Sequence, residues 1–152
     1  MLDALNFSEA NSFVYLNFPS AENVLHFLAD HLNNAKFVTE DFYPALLARE
    51  KQYPTGLETP IPISLPHVGE GIRQPFLAIA TLEEPVLFKD MGGSNRDIPV
   101  RIVILFGNNS SDAQAGILQK LSGIIQDEEK LKELLESPSA TALYESFKNM
   151  IG

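Results

Sequence analysis

The chain has 152 residues, 45% of them hydrophobic, which suits one compact domain able to bury about two-thirds of its unfolded surface. Lysine and arginine number 11 against 20 for aspartate and glutamate, and the net charge of −9 opposes nonspecific binding to nucleic-acid phosphates or anionic lipid. The absence of cysteine excludes disulfides, thiolate nucleophiles and cysteine-based metal sites.

No apolar run reaches the ~18 residues that a membrane-spanning helix needs, and MLDALNFSEANS lacks the basic start and apolar stretch of a secretory signal. A cytoplasmic protein without membrane insertion is expected. No repeat, low-complexity tract or linker divides the sequence, so residues 1–152 are expected to form a single domain.

An alternating stretch, FVYLNF, comes first. Pro19 and Ser20 then open a helix over AENVLHFLADHLNNAKF, with Leu25, Leu28 and Leu32 on one face. Thr39 is the expected N-cap of a second helix, EDFYPALLAREKQY, whose acidic start and basic end (Arg49, Lys51) suit the helix dipole. Pro44 falls early enough in it to bend rather than break it. PTGL at 54–57 stops that helix, with Gly56 free to take a positive φ.

Three short β-branched runs follow, IPISL at 61–65, FLAIATL at 76–82 and PVRIVILFG at 99–107, of the kind found in strands covered on both faces. Gly92, Gly93 and Asn95 mark a loop between the second and third. From Ser111 the period becomes helical, with Ile117, Leu118, Leu121, Ile124 and Ile125 in one stripe. DEEKLKELLE and SPSATALYESFKNMI continue it, Ser137 before Pro138 marking a helix start. Strands enclosed by helices predict an α/β fold, a central mixed β-sheet flanked by α-helices.

Without cysteine, the candidate nucleophiles include only three histidines. His26 and His31 are five apart on a helix, whereas a shared metal needs a spacing of about three or four, so no metal site is expected. His67 ends an apolar strand after Pro66 and precedes VGEG, at a position where backbone opens into a loop. On its own it reads more readily as an ordinary surface or satisfied core histidine than as a functional one. No GxSxG, HExxH or GxxxxGK[ST] is present, and VGEGIRQ does not complete GxGxxG.

Taken together, REKQYPTGL at 49–57 and IPISLPH at 61–67 resemble the signature of the fructose/mannitol-type enzyme IIA domains of bacterial sugar phosphotransferase systems. LEEPVLFKDMGG at 82–93 and ILQKLSGIIQDEEKLKELLES look like the galactitol-type members. The resemblance implies that His67 accepts a phosphoryl group and that Arg49 is the phosphate-binding cation, a role its bidentate guanidinium suits. Read without it, Arg49 is a helix-end cation. Thr55 either donates to the phosphate or caps the turn, and Glu50 ties the helix end to PTG. Where relatives carry a second histidine, this chain offers Gln114, which cannot supply a positive charge.

The resemblance also implies the partners. Phospho-HPr is the donor, a cysteine of enzyme IIB is the acceptor, the sugar binds elsewhere, and no cofactor or metal takes part. The acidic chain would steer a basic donor. An alternative within the family is a regulatory module whose phosphorylation state is read by a binding partner.

Overall fold

The computed structural model describes residues 5–108 and 111–152, so part of the loop GNNSSDAQ that aligns Gln114, and the first residues of MLDALNFSEANS, lie outside the described residues. A 3-10 turn at Glu9–Asn11 leads into strand β1 (Ser12–Leu16), the alternating stretch of the sequence. Helix α1 (Ala21–Asn34) starts at Ser20, whose Oγ accepts from the Asn23 N–H, and it buries Val24, Leu25, Leu28, Ala29 and Leu32. That face is the i, i+3, i+4 stripe of an amphipathic helix packing on a sheet.

Helix α2 (Phe42–Gln52) begins later than expected. Thr39 does not cap it: its Oγ1 accepts from the Asp41 N–H, closing a turn, and Asp41 takes the N-cap position without a side-chain cap bond. Pro44 lies in the first turn, where an N–H would have no intrahelical partner, so the proline removes no helical hydrogen bond.

Strands β2 (Gly56–Leu57) and β3 (Ile63–Ser64) are two residues each. Strand β4 (Phe76–Lys89) runs well past the expected end at 82, and its partner β5 spans Asp97–Gly107. The exposed Glu83, Glu84 and Pro85 break the alternation within β4, and a register shift between Thr81 and Val86 absorbs them.

Helices α3 (Ser111–Ile125), α4 (Glu128–Leu135) and α5 (Ala140–Ile151) complete the described chain. Ser139, not Ser137, caps α5 by accepting from the Ala142 N–H. Ser137 instead completes the end of α4, donating its N–H to the Leu134 carbonyl and its hydroxyl to the Glu133 carbonyl.

The five strands form one mixed sheet in the order β1-β4-β5-β3-β2. β1 is parallel to β4 and β3 to β5, while β4–β5 and β2–β3 are antiparallel. Alternation along β4 sends Phe76, Ala78 and Ala80 to the α1–α2 side and Leu77 and Ile79 to the side of α3, α4 and α5. Each face therefore has its own apolar layer, and the α/β expectation of a mixed sheet flanked by helices is met.

The turn after α2 is held from two directions. Glu50 accepts both the N–H and the hydroxyl of Thr55 at 2.8 Å, which ties the helix end to PTG as expected. On the other side, the tip of the β4–β5 hairpin packs on Gly56: the Met91 N–H donates to the Gly56 carbonyl at 2.8 Å. Gly56 is not among the residues with positive φ. Space is what requires a glycine there, because a Cβ would stand 2.7 Å from the Lys89 carbonyl oxygen and 3.2 Å from Phe88 Cβ. Gly56→Ala should therefore separate hairpin and turn and lower stability by about 1–3 kcal/mol, read as a fall in the urea midpoint. An unchanged midpoint would show that the contact yields without cost.

Burial pushes the Glu50 carboxyl up to about 6 from an ordinary value of 4.5, and desolvation outweighs the two Thr55 bonds that favour its charged form. The folded chain thus binds more protons than the unfolded chain between those values. Glu50's contribution to stability is present below pH 4.5 and falls, by at most about 2 kcal/mol, as pH rises through 6. The stability difference between the wild type and Glu50→Gln should shrink across that window, and carboxyl carbon NMR should show Glu50 titrating near 6. An ordinary carboxylate titration would contradict the burial.

Candidate functional site

His67 lies just beyond β3. Pro66, with no N–H to give a ladder, separates it from the apolar strand, and His67 then forms a single parallel bridge with Phe106 of β5. Its ring stacks on the Phe106 ring at a centroid distance of 4.9 Å and an interplanar angle of 13°. Nδ1 is 2.8 Å from the Leu65 carbonyl oxygen. A carbonyl can only accept, so Nδ1 carries the proton and Nε2 is left with its lone pair.

Burial lowers the pKa of His67, the Leu65 bond acts against that shift, and the positive charge of Arg49 adds to it. Burial and the Arg49 charge therefore both favour the neutral imidazole. Two features that fix its orientation, the stack and the bond to Leu65, leave Nε2 without a partner among the described residues.

His67 lines a cleft of about 340 Å³ together with Arg49, Gln52, Tyr53, Pro54, Thr55, Met91 and Gly93. The end of α2 supplies Arg49 and Gln52, the PTG turn supplies Pro54 and Thr55, and the hairpin tip supplies Met91 and Gly93. That tip is shaped by Asp90, which accepts the Gly92 N–H and the Ser94 hydroxyl, bonds that hold its carboxyl below the usual carboxylate range. Gly93, with φ +82, completes the bend that sets Met91 at the cleft.

Arg49 is exposed, and among the described residues its guanidinium has no hydrogen bond or ion pair. Its one ring contact is with Tyr53, 4.9 Å from the centroid. The neighbouring Glu50 points to Thr55 instead. Thr55 is buried and its hydroxyl proton is committed to Glu50, so it fixes the turn and has no free donor for a ligand.

The structure thus brings His67, Arg49 and Thr55 to one cleft. Gln114, half-buried in the first turn of α3, is not among the residues that line this cleft. His26 packs edge-on against Tyr43, and His31 bonds Asn11 at 3.2 Å through Nε2, so the two rings serve separate packing contacts. No group of three or more histidine, aspartate or glutamate side chains is arranged to hold a metal among the described residues. No helix there is long and apolar enough to cross a membrane.

Sequence reasoning missed Tyr53, Met91 and Phe106. The position of Tyr53 between Arg49 and Pro54 could have signalled its place at the rim. Met91 and Phe106 reach the site only through strand pairing, which leaves no local mark.

Comparisons with solved structures agree with this architecture. The chain is 21% identical to the mannitol-specific cryptic phosphotransferase enzyme IIA CmtB of Escherichia coli, covering 95% of this chain and 94% of that one, with a TM-score of 0.73. It is 21% identical to the nitrogen regulatory protein IIA-Ntr of Neisseria meningitidis, over 96% of both chains with a TM-score of 0.77. A third match is the mannitol enzyme IIA of Escherichia coli in its complex with phosphorylated enzyme IIB, at 22% identity, TM-score 0.75 and coverage of 95% and 99%. At these identities the likeness shows the fold. No curated protein matches the sequence. The family model of the phosphoenolpyruvate-dependent sugar phosphotransferase system, EIIA 2, matches residues 6–150, nearly the whole chain, and to that family the chain belongs.

Proposed function

We propose that this protein is a cytoplasmic phosphoryl carrier, taking a phosphoryl group from phospho-HPr onto Nε2 of His67 and passing it to a cysteine of an enzyme IIB. The observation that carries the reading is the oriented imidazole, its Nδ1 bound to the Leu65 carbonyl, in a cleft shared with an arginine that has no anionic partner among the described residues. The match to a mannitol enzyme IIA in complex with phosphorylated enzyme IIB supports the acceptor. The segments LEEPVLFKDMGG and ILQKLSGIIQDEEKLKELLES support a place beside the galactitol-type branch, as a label for the branch and not for a sugar.

In the transfer, the Nε2 lone pair attacks phosphorus in line with the bond to the donor imidazole. The new P–N bond forms as the old one breaks, and the donor nitrogen keeps the electron pair. The proton on Nδ1 stays in place. As the ring gains positive character, its bond to the Leu65 carbonyl strengthens, which steadies the phosphorylated form. Transfer between two such nitrogens is nearly balanced in energy, so positioning and charge govern the rate.

Arg49 supplies the charge. Its guanidinium can grip two equatorial oxygens of the moving group, and no cofactor or metal is needed. Thr55 serves by fixing the turn, and Gln114 has at most a secondary part. The sugar is not bound by this domain. A net charge of −9 favours encounter with a basic donor, through contacts that salt weakens.

Incubation with enzyme I, HPr and labelled phosphoenolpyruvate should place acid-labile label on His67, and enzyme IIB should then discharge it. Label that persists in His67→Ala would overturn the assignment. Label on His67 that no enzyme IIB removes would favour the regulatory module, a role named for the Neisseria meningitidis protein of the same fold. Arg49→Ala should reduce transfer by about 10²–10³-fold. Gln114→Ala should stay within about fivefold of wild type, the scale of one neutral hydrogen bond. Equal losses would contradict the division of roles.

A further inference from the structure

Tyr53 is one of the few large apolar side chains left exposed, 56% accessible, and it stands at the rim of the His67 cleft. Its place follows from the backbone. Pro54 disfavours helical geometry at the residue before it, and Tyr53 leaves α2 with φ −132 and ψ 82 while its N–H still donates to the Arg49 carbonyl at 2.7 Å. The last helical turn is therefore closed, and the ring comes to lie 4.9 Å from the Arg49 guanidinium carbon. This is within the range of a cation–π contact, at the i, i+4 spacing that brings side chains together on a helix.

A ring face and a carboxylate would hold an arginine differently. A carboxylate would occupy the N–H groups that a phosphoryl oxygen needs and would repel the incoming charge. The face of Tyr53 restricts the guanidinium without using a single N–H donor. Glu50, the carboxylate next to Arg49 in sequence, is bound to Thr55 through both of its oxygens.

We infer that Tyr53 is a positioning residue for phosphoryl transfer, its ring holding the Arg49 guanidinium at the cleft mouth with all its N–H donors open to the phosphoryl oxygens. The inference rests on the phosphoryl-carrier reading. Tyr53 acts through Arg49 and takes no part in the bond changes at His67. Its hydroxyl is not needed, the contact being with the ring face.

The test is a set of variants, Tyr53→Phe, Tyr53→Leu, Arg49→Ala and the double variant Tyr53→Leu with Arg49→Ala. Each is assayed for phosphoryl transfer from phospho-HPr and for the NMR shifts of the arginine side-chain protons. Tyr53→Phe should match wild type. Tyr53→Leu should lower kcat about threefold to fivefold, the weight of an exposed cation–π contact, with KM for phospho-HPr within about twofold. In the Arg49→Ala background the same change should cost nothing further, as expected of a residue that works only through the arginine.

A loss that persists undiminished without Arg49, or one that falls on KM alone, would make Tyr53 a contact for the donor protein and overturn the proposal. Equal losses in Tyr53→Phe and Tyr53→Leu would assign the effect to the hydroxyl and overturn it as well. The NMR readout does not depend on phosphoryl transfer. The Arg49 δ protons should be shifted upfield by the ring in wild type and Tyr53→Phe and not in Tyr53→Leu. If His67 accepts no phosphate, the carrier reading fails by that result alone. If the upfield shift is absent from wild type, the ring does not hold the arginine and the proposal fails even where His67 is phosphorylated.

Discussion

The hydrogen bond from His67 Nδ1 to the Leu65 carbonyl, made across only two residues, decides which nitrogen of the imidazole is free to react. It depends on the sheet. Pro66 interrupts the ladder after β3, the bridge to Phe106 resumes it at His67, and the Phe106 ring then supports the imidazole from one face. The strand that brings Phe106 there is β5, buried without a break from Ile102 to Gly107, so the stack stands on a closely packed part of the sheet. A nucleophile placed in this way is oriented before any partner arrives, which is what a reaction limited by positioning requires.

The electrostatics divide between neighbours. Glu50 and Arg49 are adjacent in sequence, but successive residues on a helix point in different directions, and here the carboxylate turns inward to Thr55 while the guanidinium stays at the cleft. Burial raises the Glu50 pKa even though it accepts two hydrogen bonds. The cost of desolvating the carboxylate is tolerated because it anchors the turn that carries the cleft wall. Gly56 adds the second anchor by letting the hairpin tip approach to a distance that any side chain would block. The cleft is thus built from three segments distant in sequence, fastened at Thr55 and Gly56.

Much of this could be read from the residues, for identifiable reasons. The leucine spacing of α1 and the stripe of α3 repeat over several turns, and such periodicity survives any tertiary context. Two-residue strands such as β2 leave no period to detect, and the extension of β4 through Glu83, Glu84 and Pro85 runs against every local strand preference. Two serines flank Pro138, and sequence alone could not show that the first closes α4 while the second opens α5. At the site, the resemblance carried by REKQYPTGL and IPISLPH pointed to His67, Arg49 and Thr55, which do share a cleft. It could not show that the Thr55 proton is already spent, that Gln114 does not line the cleft, or that Met91 arrives from the β4–β5 hairpin.

The most direct measurement is a long-range proton–nitrogen NMR spectrum of the nitrogen-15-labelled protein before and after phosphorylation. In the free protein, Nδ1 of His67 should give the signal of a protonated nitrogen and Nε2 that of an unprotonated one, and after phosphorylation the coupling to phosphorus should appear on Nε2. A phosphorus coupling on Nδ1, or on a nitrogen of His26 or His31, would contradict the geometry on which the proposed mechanism stands.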